Sequence, residues 1–182
     1  MKLKLANVRL AFPTLWEAKT VNGEGKPAFS ATFLIDPADP QVKAINKAID
    51  QVGAEKWGAK APAILAAARK ADKVCLHDGD LKATYDGFAG NLYVSARNPI
   101  RPLVLNSDKS PLTEADGKPY AGCYVNVSLE LWAQDNNYGK RVNATLMGVQ
   151  FYCDGDAFAG GGVASEDDFD DVSNGATADD LA

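Results

Sequence analysis

Residues 123–152 read CYVNVSLELWAQDNNYGKRVNATLMGVQFY, and their alternation decides the fold. Val125, Val127, Leu129 and Leu131 fall on one face, and Tyr124, Asn126, Ser128, Glu130 and Trp132 on the other. A period of two marks a strand with one face in a core. The polar run DNNYGK, with Gly139 in it, reads as a hairpin turn. Val142, Ala144 and Leu146 carry the apolar face back until Gly148 breaks it.

Further strands lie upstream. KLKLANVRL alternates, with a phase change at Ala6-Asn7 that predicts a bulge. Pro13 is expected to end regular pairing. VNGEGKP supplies a hairpin connection, and AFSATFLID returns with Phe29, Ala31, Phe33 and Ile35 on one face. A helical section follows. Asp39 caps it, Pro40 suits its first position, and Val42, Ile45, Ile49 and Val52 form one apolar stripe. Pro62 opens a second helix. NLYVSARN is strand again, with Tyr93, Ser95 and Arg97 opposite Leu92, Val94 and Ala96, and residues 107–122 form a long polar loop. Two strands, a helical insertion and three or more strands predict a mainly β protein. The architecture that fits best is the OB-fold, a five-stranded Greek-key barrel, with a sandwich as the alternative.

Charge divides the chain. Residues 154–182 hold nine acids and no Lys or Arg, which leaves 15 acids against 19 basic residues in 1–153. The net charge of −5 therefore hides a body of about +4. The expected organisation is one domain over 1–153, then a Gly-rich linker and a disordered acidic tail over 154–182. A basic body with an acidic end is a pattern of nucleic-acid binders, although a solvated terminus has the same composition. No run approaches the roughly 18 apolar residues of a membrane span. Three widely spaced cysteines, Cys75, Cys123 and Cys153, suit a reducing compartment. The expectation is a protein of the cytoplasm.

The outward faces carry the chemistry. Tyr93 with Arg97, Tyr124 with Trp132, and Arg141 combine rings with cations on strands. Single-strand binders need aromatic planes for bases and cations along the phosphates. Tyr138 sits at the hairpin tip beside Lys140 and Arg141, while Phe12 and Trp16 lie near Arg9 and Lys19 and read as half core. An assembly protein burying the same faces against a partner is the rival reading.

Catalysis and metals find little support. Cys75-x-His77 lacks a second ligand pair, and the Asp-Gly-Asp turns lack the ordered oxygens of a calcium loop. No phosphate-binding loop is present. With one His, any triad would have to run through His77, and no serine stands in a nucleophile motif. No enzyme activity, metal or cofactor is expected.

VRLAFPTLWEAK, AFSATFLIDPADPQ, GNLYVSARN, GCYVNVSLELWAQDNNYGKRV and LMGVQFYCDGDAFAG, in this order and followed by the acidic end, give the chain its family likeness. It resembles the phage-encoded single-stranded DNA-binding proteins with an OB-fold. The resemblance implies sequence-tolerant binding of single strands in phage DNA replication, recombination or repair, in the host cytoplasm. It also implies a tail that contacts replication or recombination proteins and competes with DNA. Here that tail would act through Asp167, Asp168, Phe169, Asp170 and Asp171. Related tails often finish on an aromatic residue, whereas this one finishes DDLA with Phe169 internal. A monomer and a homodimer both remain open.

Overall fold

A computed structural model describes residues 1–158 and 169–173. Its strands are β1 (Lys2–Val21), β2 (Glu24–Ile35), β3 (Leu76–Asp78), β4 (Leu92–Asn98), β5 (Leu103–Leu105), β6 (Tyr124–Asn136) and β7 (Gly139–Cys153). Helices α1 (Gln41–Trp57) and α2 (Ala61–Lys70) fall between β2 and β3. β1 pairs with β2 and with β6, β2 with β4, and β6 with β7, all antiparallel. A parallel contact between Arg97 of β4 and Thr145 of β7 closes the ring. The circuit β1-β2-β4-β7-β6 is the five-stranded OB barrel, with β3 added beside β4 and β5 beside β7.

The alternation does its work in the core. Val125, Val127, Leu129, Leu131, Val142 and Leu146 are buried against Phe33 and Ile35 of β2 and Val94 of β4. Ile45, Ile49 and Val52 bring α1 onto the same core. Asp39 accepts the Gln41 N–H at 2.9 Å and so caps this helix. α2 lies close on α1 because residue 53 is glycine: a Cβ there would stand 2.6 Å from Leu65.

Two breaks in β1 shape the barrel. The β1–β6 register slips between Leu5 and Val8, where Asn7 takes a φ of 52°. Gln41 then satisfies the unladdered Ala6, accepting its N–H at 2.7 Å and donating to its carbonyl at 2.8 Å. Pro13 does not end the strand as expected. The β1–β2 register shifts between Ala11 and Thr14, Phe12 turns to a φ of 47°, and pairing resumes as far as Val21. A bulge accommodates the missing proline N–H without ending the ladder. Val21 then pairs with Glu24 across Asn22-Gly23, both at positive φ, a type I′ turn that matches the strand twist.

Packing continues past the expected boundary at 153. Tyr120 donates its hydroxyl to Asp154 Oδ1 at 2.7 Å, and Phe158 N–H bonds the Ala121 carbonyl at 3.0 Å. Arg9 donates to the Asp156 carbonyl at 2.8 Å, and its guanidinium carbon lies 4.3 Å from the Phe158 ring centre. Residues 154–158 thus form a strap on the barrel. The Gly-rich linker, with Asp167 and Asp168, lies outside the described residues. Residues 169–173 are exposed, with Phe169 at 72%. Among the described residues, no helix is long and apolar enough to cross a membrane.

Candidate nucleic-acid interface

A groove of about 600 Å³ runs over the seam between β4 and β7. Arg97 and Ser95 of β4 and Asn143 and Thr145 of β7 form its floor, and β6 contributes Trp132 and Gln134. Lys26, just past the first hairpin turn, and Lys73, just before β3, bring further cations, and Arg141 completes a set of four. Among the described residues, no Asp or Glu lines the groove. In an OB barrel the oligonucleotide face lies over the second and third barrel strands, between the first hairpin loop and the last. Here those strands are β2 and β4, and the loops are the Asn22-Gly23 turn and the 136–139 turn.

The groove is internally braced. Trp132 is 44% exposed, and its Nε1–H donates to Thr145 Oγ1 at 3.1 Å. Asn143 Nδ2 donates to Gln134 Oε1 at 2.8 Å. These bonds hold one indole plane and two amides in place before any ligand arrives. At the rim, His77 Nδ1 lies 2.6 Å from Asp72 Oδ1, and its ring stacks on Tyr93 with centres 4.8 Å apart.

Of the residues singled out in the sequence, Arg97, Trp132 and Arg141 meet in the groove. Tyr138 stands beyond it at the hairpin tip, 84% exposed. Lys140 faces Asp135 at 3.4 Å, across the hairpin and outside the groove lining. Tyr93 is on the outer side of β4 but only 3% exposed. His77 covers one face, and Phe88 packs edge-on with centres 5.2 Å apart. Its expected role as an open stacking plane is therefore corrected: residues 79–91 fold back over that end of β4. Tyr124 is eight residues from Trp132 along β6, roughly 26 Å at strand rise. It is half-buried, with Arg9 5.8 Å from its ring. Trp16 packs against the core, and Phe12 belongs to a separate aromatic pocket.

Sequence reading missed Lys26, Lys73 and the groove side of His77. Lys26 had a signal, since a cation beside the first hairpin loop of an OB barrel adjoins the binding face. Cys75 also borders the groove, but burial pushes its thiol up to about 12. A nucleophile or metal ligand needs the opposite shift. Among the described residues no three His, Cys, Asp or Glu side chains come together.

An OB barrel with its groove in this position is an architecture that takes oligonucleotides or oligosaccharides. The whole chain, residues 1–182, matches the family described as the single-stranded DNA-binding protein of Enterobacter phage Enc34, and the chain belongs to that family. A protein of Acyrthosiphon pisum secondary endosymbiont phage 1, putative protein p50, is 51% identical over 176 residues, covering 95% of each chain. The Enc34 protein in complex with single-stranded DNA superposes with a TM-score of 0.72 at 28% identity, covering 87% of this chain and 89% of that one. The T7 single-stranded DNA-binding protein gp2.5 shares the fold, with a TM-score of 0.55 at 15% identity over 98% of this chain and 96% of that one.

Proposed function

We propose that this protein binds single-stranded DNA without sequence preference and without chemistry, in phage DNA replication, recombination or repair in the host cytoplasm. One observation carries the reading: among the described residues the groove is lined by four cations, no acid and a braced, half-open tryptophan. Cations track the phosphates, the indole stacks a base, and neither reads sequence. The Enc34 relative, whose structure holds single-stranded DNA, supports the same assignment. Tyr138 and Lys140 approach the strand from the hairpin tip. Phe12, Trp16 and Tyr124 lie off the groove and contribute only if the strand extends along the barrel.

The acidic end acts as a tethered polyanion. It occupies the groove when DNA is absent and engages replication or recombination proteins when DNA displaces it. A tethered segment reaches local concentrations of about millimolar, so weak docking suffices.

Titration of labelled oligo-dT and a duplex of equal length, at two salt concentrations and with and without chelator, tests the reading. The expected result is preference for oligo-dT, steep weakening with salt, intact DNA and no effect of chelator. Salt-independent binding, or chelator-sensitive cleavage by pure protein, overturns it.

A further inference from the structure

We propose that successive copies of this chain contact one another head to tail on single-stranded DNA, an apolar knob at one end of β4 entering an aromatic pocket at the other end of the next copy's β4. The proposal rests on the reading of the groove as the DNA site.

The knob follows β4. Ile100 is 74% exposed, Leu103 61% and Met147 45%. Asn98 Nδ2 bonds the Leu146 carbonyl at 2.9 Å and Leu103 pairs with Gly148, so residues 99–103 bracket Met147. Pro99 and Thr145, beside these residues, line the groove. The knob is therefore continuous with one end of the DNA site. Its aliphatic side chains offer no ring on which a base could stack, which argues against DNA as their partner.

The pocket precedes β4. Phe12, Pro13, Tyr85, Phe88 and Phe158 enclose about 260 Å³. Phe12 and Tyr85, each 50% exposed, meet edge to face at 5.0 Å. An apolar cavity of about 150 Å³ already accepts benzene, so a branched aliphatic side chain fits.

Knob and pocket thus flank the strand that floors the groove. Copies aligned along β4 would place knob against pocket and join their grooves into one track. A contact between different patches is heterologous and extends into an open filament unless the rotation closes a ring. Its size also sets when it acts. A few side chains bury far less than the roughly 1,200 Å² of a stable complex. The contact forms only when DNA holds two copies at high local concentration.

The test compares full-length protein with Ile100→Ser/Leu103→Ser and with Tyr85→Ser, neutral changes that leave the attraction for phosphate alone. Each is titrated onto an oligo-dT that holds one protein and onto poly-dT. Unchanged affinity is expected on the short strand. On poly-dT the wild type should bind cooperatively, and either variant should need about ten- to a hundredfold more protein for half-coverage. A mixture of the two variants retains one usable contact per pair and should recover cooperativity on a strand that holds two copies. Non-cooperative wild-type binding to poly-dT, or cooperativity that survives in both variants, overturns the proposal. So does a DNA-free dimer lost in both variants, which would make the contact two-fold symmetric. Failure of the wild type to bind the short strand would instead refute the groove reading, and this proposal with it.

Discussion

Trp132 on β6 and Thr145 on β7 are tied by a hydrogen bond of 3.1 Å from the indole Nε1–H to the hydroxyl oxygen. The ring is held at its edge while 44% of the residue stays open to solvent. A plane fixed in advance loses little rotamer freedom when a base stacks on it. Trp132→Ala is expected to weaken oligo-dT binding by about 1–3 kcal/mol with the fold retained. Thr145→Val, which removes only the tether, should cost less, about 0.5–1.5 kcal/mol. Equilibrium titration of both variants against wild type checks the order.

The cations differ in their surroundings, and their salt slopes should differ too. Arg97 and Arg141 line the groove, whereas Lys140 faces Asp135 outside it. Each lost phosphate contact to a single strand flattens log affinity against log salt by about 0.7. Arg97→Ala and Arg141→Ala should each show that change and Lys140→Ala a smaller one. A full-sized change at Lys140 would place the strand over the hairpin tip instead.

What the chain discloses before folding is mostly its barrel. Val125, Val127, Leu129 and Leu131 alternate because one side of β6 is core, so the local pattern carries the three-dimensional fact. The slip at Ala6-Asn7 was legible for the same reason. Tyr93 shows where this ends. Alternation assigns it to the outer side of β4, but residues 79–91 cover that side, and they have no periodicity to announce it. β5 is three residues long, too short for a periodic signal. Lys26 lies at the hairpin end of β2 and Lys73 just before β3, and only tertiary closure brings them beside Arg141.

The three thiols should divide by burial. Cys75 and Cys123 are buried and Cys153 is exposed. Burial raises Cys75 from the ordinary 9.0 to about 12 and Cys123 to about 11. Only the thiolate attacks, so a disulfide reagent at neutral pH should modify Cys153 rapidly and the other two only on unfolding. The folded protein also keeps protons that the unfolded chain releases above about pH 9. Stability contributed by these two sites is therefore complete below that pH and declines as pH rises towards about 11 to 12. Thermal melts of wild type and Cys75→Ala across the alkaline range read this decline.

Removal of residues 164–182 takes away seven acids and no base, so the net charge passes from −5 to +2. If the acidic end guards the groove, the truncated protein should bind oligo-dT more tightly and discriminate less against duplex, with both changes shrinking as salt rises. Phe169→Ala should give a smaller gain of the same sign. Equal affinities of truncated and full-length protein at low salt would leave the acidic end as a partner hook or a solubilising end.

The barrel is closed by little. One residue pair, Arg97 with Thr145, joins β4 to β7, and Asn98, the one buried polar side chain among the described residues, adds its bond to Leu146. Asn98 and Leu146 stand 48 positions apart in the sequence, so the join is costly in chain entropy. The groove lies directly over it, with Arg97 on one side of the floor and Thr145 on the other. A ligand bound across both strands acts as a clasp. Parting the strands would let go of the ligand, so the rate at which the barrel breathes at this seam becomes a route by which a bound strand escapes.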